Sequence, residues 1–174
     1  REELDISLKY IVAILNSKLI AYYFMKNTAK SVRKMFPKII LNDLRKFPIK
    51  DIPSLEQLPF INKAEKILSL NENLIILSNK FTSLRQSDFS IDKLNKKIES
   101  WFTLEWADFE KELKKKKVTL LGIQKDDWYD RFSRLKEEVF NLKTQIVHTE
   151  REIDQMVYEL YGLTNDEIKI VEKG

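Results

Sequence analysis

The chain of 174 residues has no cysteine, one histidine (His148), three glycines and four prolines. Without cysteine there is no disulfide framework and no thiol chemistry, which fits a cytoplasmic protein. A single histidine removes most metal-centre and general-base arrangements. Gly122, Gly162 and Gly174 are too few and too scattered for a phosphate loop or a dinucleotide fingerprint. No apolar run approaches the roughly 18 residues of a membrane span. Pro37, Pro48, Pro53 and Pro59 fall in one short stretch, so most of the sequence lacks strong breakers and predicts long helices. The sequence begins at Arg1 with neither an initiator methionine nor a signal-like segment, as expected of a piece of something longer.

What is present is an ordinary share of apolar residues, 43%, beside 33% charged ones, enough to bury a core and too many apolar groups for a disordered chain. The formal net charge is +4. Its distribution is uneven. Lys18, Lys26, Lys30, Arg33, Lys34, Lys38, Arg45, Lys46 and Lys50 are accompanied by one acid, Asp43, whereas Phe132 to Lys173 is mildly acidic. A polyanion such as DNA or RNA would therefore match the N-terminal third. Lys114 to Lys117 form a separate run after Glu105, Asp108, Glu110 and Glu112, and read as a solvated helix end.

Apolar spacing from Ile6 to Met25 predicts one helix, capped by Asp5 or Ser7. Phe36 to Leu41 and Lys46 to Ile49 look extended, with Pro48 confining the second piece to an edge or an irregular strand. Pro59 is expected as the first residue of a long helix whose seam, from Ile67 through Leu70, Leu74, Leu77 and Phe81 to Leu84, alternates three- and four-residue steps. The same alternation runs from Phe132 through Leu135, Val139, Leu142, Ile146, Thr149, Ile153 and Met156 to Leu160. Gly162 should stop that helix, and Thr164 with Glu167 should form a capping box for a brief one. About 37 residues link the helix expected near Pro59 to Gln86 with the one expected near Gln124 to Tyr161, too many for a simple loop. They should hold further helices, with Trp101, Trp106 and Trp128 as cluster material. The expected fold is mainly α: a long antiparallel, coiled-coil-like hairpin, extra helices at its tip, and a small β element near the N-terminus between Phe36 and Ile49.

Catalytic patterns are missing. There is no His-Glu-x-x-His, nucleophile elbow or cysteine pair. The nuclease-like triplets Glu112-Leu113-Lys114 and Glu167-Ile168-Lys169 arise readily by chance in so charged a chain. His148 lies off the seam and reads as a surface residue.

Three stretches carry a family likeness over nearly the whole chain. Tyr10 to Phe24 resembles the helix that closes the target recognition domain of adenine-specific DNA methyltransferases with fused specificity regions, among them the single-chain Type IIG restriction–modification enzymes. Phe36-Pro37-Lys38-Ile39, followed by Leu44-Arg45-Lys46-Phe47-Pro48-Ile49, is similar to the strand and Leu-Pro-Ile-Pro element that ends that domain, with Phe47 for the common Leu and Lys50 for the second Pro. Glu152 to Thr164 resembles the end of the same proteins, and is the most specific of the three matches.

The resemblance implies recognition of duplex DNA rather than chemistry. Residues 1–52 would be the C-terminal remnant of a target recognition domain and residues 53–174 a helical spacer that positions it. The chain itself would be no enzyme and hold no cofactor or metal. S-adenosylmethionine and Mg2+ are implied only for the parent, whose upstream methyltransferase domain, and nuclease domain where there is one, would be its partners. Lys26, Lys30, Arg33, Lys34 and Lys38 suit phosphate contacts, and Asn27 and Asn42 have side chains able to read base edges. The alternative is a helical protein-interaction or homodimerisation module, using the stripe from Phe132 to Leu160 without DNA contact.

Overall fold

The computed structural model describes residues 5–27, 41–91 and 96–173. In chain order these form α1 (Leu8–Leu15), α2 (Lys18–Asn27), α3 (Leu41–Leu44), α4 (Ser54–Phe89), α5 (Lys96–Glu99), a 3-10 turn (Trp101–Thr103), α6 (Trp106–Lys115), α7 (Gly122–Tyr161) and α8 (Asn165–Lys173). The chain divides into two compact units. Residues 1–68 with 147–174 make unit 1, and residues 69–146 make unit 2. Early residues of α4, Phe60 and Ala64, meet the late α7 residues Ile153 and Val157 in unit 1, while Phe81 meets Trp128 and Phe132 in unit 2. The two long helices therefore run antiparallel. No helix among the described residues is long and apolar enough to cross a membrane.

Every α7 seam residue from Phe132 to Leu160 is buried or half-buried, as a continuous apolar stripe requires. Its end is a Schellman motif. Gly162 takes φ +71°, its amide bonds the Glu159 carbonyl at 3.1 Å, and the Leu163 amide bonds that of Tyr158 at 3.0 Å. The capping box follows. The Thr164 amide donates to Glu167 Oε2 at 2.7 Å, and the Glu167 amide returns to Thr164 Oγ1 at 3.4 Å. The Thr164 amide, together with its hydroxyl donating to the same oxygen at 2.8 Å, holds the Glu167 carboxyl below its usual value.

Three expectations need correction. The single helix from Ile6 to Met25 is two helices, broken at Asn16 and Ser17. The Ser17 hydroxyl donates to the Ile14 carbonyl at 2.7 Å and accepts from the Ile20 amide at 3.4 Å, ending one helix and starting the next. Asp154 Oδ1 accepts the Lys18 amide at 2.8 Å, satisfying a free donor of the new first turn from α7. Second, Pro59 lies inside α4, which starts at Ser54 after Pro53. The carbonyl that Pro59 cannot bond is that of Leu55, a largely exposed residue, so water can replace the lost partner.

The third correction concerns the β element. Residues 28–40, which include Phe36 to Ile40, lie outside the described residues, and there is no strand among those described. Leu41–Leu44 is a helical turn. After it the amides of Arg45, Lys46 and Phe47 bond the carbonyls of Leu41, Asp43 and Leu44, and that of Ile49 bonds Phe47. Pro48 has no N–H to give. The Lys50 amide donates to the Tyr161 hydroxyl at 3.2 Å, and that hydroxyl donates to the Pro48 carbonyl. With its donors spent locally or on a side chain, the segment has none left for a ladder.

Unit 1 buries Tyr10, Ala13, Ile14, Ile20, Ile52, Phe60, Ala64, Ile153 and Val157. Tyr10 meets the Phe60 ring edge-on and donates its hydroxyl to the Lys50 carbonyl at 2.6 Å. Burial pushes the Tyr10 hydroxyl pKa up to about 12. Buried Gln57 accepts from the Ser7 amide at 2.9 Å and donates to the carbonyls of Asp5 and Ile52 at 2.9 and 3.0 Å. Lys63 pairs with Glu152 at 2.7 Å between α4 and α7.

Unit 2 is aromatic. Phe81 stacks on Trp101 with ring centroids 3.8 Å apart, and Phe109 on Phe132 at 5.0 Å. Trp106 and Trp128 complete the cluster, and Trp128 Nε1 donates to Asp88 at 3.1 Å. Leu113, Leu120, Leu135 and Val139 fill the space around the rings. Lys136 ties α7 to the start of α6 through the Leu104 carbonyl and Glu105, each at 2.8 Å.

Candidate functional site

The basic stretch of unit 1 divides by what its side chains do. Lys18 and Lys50 are structural. The Lys18 ammonium lies 3.1 Å from Glu172 on α8 and 3.9 Å from buried Asp154. Lys50 Nζ donates to the Leu160 carbonyl at 2.8 Å, in the last turn of α7, where positive charge is favoured.

Lys26, Arg45 and Lys46 are different. Each is exposed, and none makes an ion pair with a described residue. Lys26 stands in the last turn of α2 with its ammonium 5.3 Å from the Tyr22 ring centroid, one helical turn back. Arg45 and Lys46 follow α3 on the turn that leads to Phe47, whose ring packs edge-on against Tyr23 and Phe24 of α2. Phe47 thus anchors the turn to α2 and keeps Arg45 and Lys46 near the end of that helix. Charge flagged the two cations, and both are exposed.

Of the two asparagines, Asn27 donates its amide to the Tyr23 carbonyl at 2.9 Å and so caps its own helix. Asn42 is exposed on α3. Lys30, Arg33, Lys34 and Lys38 lie outside the described residues. A hollow of about 640 Å³ opens between α2 and α8, lined by Lys18, Ala21, Tyr22, Met25, Lys26, Val171 and Glu172. Against Lys18, burial raises the Asp154 carboxyl above its usual value, opposing the lowering effect of the Lys18 amide and ammonium.

This surface presents exposed cations, an aromatic ring and amide side chains. Among the described residues no group of three or more His, Cys, Asp or Glu could hold a metal ion. His148 is 70% exposed, with Nε2 3.8 Å from Glu152.

A family model described as Domain of unknown function (DUF8810) matches residues 53–157, more than half of the chain. The chain belongs to that family. The DUF8810 match takes in all of unit 2, the unit 1 part of α4, and α7 as far as residue 157. A second model, the TaqI-like C-terminal specificity domain, matches residues 1–49, so the segment carrying the exposed cations corresponds to a specificity domain and not to a catalytic one. Neither a curated protein nor a solved structure matches the chain.

Proposed function

We propose that this chain is the DNA-recognition and scaffold portion of a Type IIG restriction–modification enzyme or adenine-specific DNA methyltransferase. Residues 1–52 contribute to the target recognition domain, and residues 53–174 form the helical spacer that holds it on duplex DNA. The observation that carries this reading is a coincidence of position: the stretch that matches a specificity domain, residues 1–49, carries ten cations against four acids, and from Lys18 onward eight against one. Lys26, Arg45 and Lys46, with Lys30, Arg33, Lys34 and Lys38 of the intervening segment, neutralise phosphates, and Asn42 is the amide best exposed for a base edge. Methyl transfer from S-adenosylmethionine, and Mg2+-dependent cleavage where there is a nuclease, belong to other domains of the parent.

The rival reading, a dimerisation module, needs the stripe from Phe132 to Leu160 for a second copy. That stripe is already buried or half-buried within one chain. Titration of a duplex at two salt concentrations, with wild type beside K30A/R33A/K34A, separates the two. Phosphate contact requires affinity that falls steeply with salt and a variant that is weaker and less salt-sensitive. Equal binding by variant and wild type would remove the basic segment from the interface.

A further inference from the structure

We propose that unit 2 carries a second, sequence-independent contact for the phosphate backbone of duplex nucleic acid, centred on Lys114, Lys116 and Lys117. It rests on the reading that the chain engages a duplex, and it assigns part of that work to the DUF8810 segment.

Four consecutive lysines close α6, and the local acids are already matched to cations. Asp108 pairs with Lys111 at 2.9 Å and Glu112 with Lys115 at 2.7 Å. Glu110 and Glu105 are taken by Lys125 and Lys136 of α7, at 2.9 and 2.8 Å. Lys114, Lys116 and Lys117 form no ion pair with a described residue; Lys114 and Lys117 are exposed and Lys116 is half-buried. One or two cations suffice to complement the carbonyl end of a helix, because that effect fades within the last turn. This run exceeds what the helix end uses.

Backbone geometry points the same way. The Val118 amide bonds the Leu113 carbonyl at 3.1 Å and the Lys117 amide bonds that of Lys114 at 2.9 Å, the same Schellman arrangement that ends α7. At the end of α7 the left-handed position is glycine; here it is Lys117, at φ +63°. A lysine there adds backbone strain and repulsion from its neighbours with no packing in return, so the position favours positive charge over stability. Beside it an open hollow of about 670 Å³, roomy enough for a phosphate, is lined by Lys97, Lys111, Lys114 and Lys115 with Leu104 and the carboxylates of Asp108 and Glu112, which Lys111 and Lys115 already pair. All the cations are lysines, which act as point charges on flexible stems. They suit phosphate oxygens better than the planar, two-pronged recognition of a base that arginine provides.

The test is a salt series of duplex binding by the full chain, read by fluorescence anisotropy, comparing wild type, K114A/K116A/K117G and R45A/K46A. Glycine at 117 relieves the left-handed backbone, so the unit 2 variant should keep its fold, checked by circular dichroism. The expected result is weaker low-salt binding and a salt slope shallower by about 0.9 per lost contact, up to roughly 2.7 for three. An unchanged slope in K114A/K116A/K117G, with R45A/K46A impaired, would overturn this proposal and leave the proposed function standing. A wild type that does not bind the duplex would overturn both. If poly-glutamate binding were lost in the unit 2 variant while duplex binding held, the patch would face an acidic protein and the proposal would fail.

Discussion

Unit 1 joins short helices and the irregular strap of residues 45–50 by lone side chains reaching distant backbone: Gln57 to residues 5, 7 and 52, Asp154 to Lys18, Tyr161 to residues 48 and 50. Unit 2 contains the three tryptophans and is held by rings stacked edge and face. The contrast follows from what each unit adds to its share of α4 and α7. Unit 1 adds four short helices and the irregular segment 45–50, whose backbone ends are met by polar side chains, whereas unit 2 adds α5, the 3-10 turn and α6, which bring Trp101, Trp106 and Phe109 to the rings of the long helices. The two units should therefore fail to different kinds of substitution.

The largest effect is expected from Phe132→Ala. Phe132 touches the rings of Phe81, Trp101, Trp106 and Phe109. Its loss should cost about 3–5 kcal/mol, with the melting of unit 2 read directly by tryptophan fluorescence. A cost under about 1 kcal/mol would show that the ring cluster can collapse around the gap. Gln57→Ala should come next, at roughly 2–3 kcal/mol, because it strands one amide and two carbonyls at once. Here denaturant unfolding followed by circular dichroism is the readout, and an effect confined to tryptophan fluorescence would contradict the assignment to unit 1.

Two tyrosines on α7 sharpen the comparison. The Tyr161 hydroxyl is bonded twice to the strap, while the buried Tyr158 hydroxyl has no partner among the described residues. Burial, with Asp154 and Glu172 nearby, pushes the Tyr158 pKa up to about 12. Tyr161→Phe should lose about 1 kcal/mol, and Tyr158→Phe should be neutral or slightly stabilising, as thermal melts of the two variants would show. A Tyr158→Phe variant as unstable as Tyr161→Phe would mean that the Tyr158 hydroxyl is bonded after all.

The smallest predicted effect is in pH dependence. The folded pKa of Asp154 is raised, so its contribution favours folding at pH values below its ordinary 3.8 and diminishes as pH rises through the folded value. Asp154→Asn keeps an oxygen for the Lys18 amide and removes the desolvated charge. It should flatten that part of the stability profile and be no less stable at neutral pH. Glu167 has the opposite sign: its stabilisation is full above its ordinary 4.5 and is lost as pH falls through the lowered folded value. A wild-type profile indifferent to Asp154→Asn would mean the carboxylate is fully compensated in the fold.

Features set by near neighbours were legible in the sequence: the α7 seam, the Gly162 stop, the Thr164–Glu167 box and the aromatic material of unit 2. The break at Asn16 and Ser17 was not, because the acceptor for the new first turn, Asp154, lies 136 residues away. The strap misled for the same reason. Extended apolar residues beside Pro48 resemble an edge strand until Tyr161 takes the Pro48 carbonyl and the Lys50 amide. At the candidate site, charge located the stretch, yet it could not separate Lys18 and Lys50, consumed by Glu172 and the Leu160 carbonyl, from the exposed Lys26, Arg45 and Lys46.

Hydrogen–deuterium exchange of the full chain, with and without duplex DNA, tests the central claim most directly. The account predicts DNA-dependent protection at the end of α2 and around Arg45 and Lys46, extending to residues 114–118 if unit 2 also holds phosphates. The buried α7 seam should be unchanged. Protection that avoids the N-terminal cations, or none at saturating duplex, would contradict it.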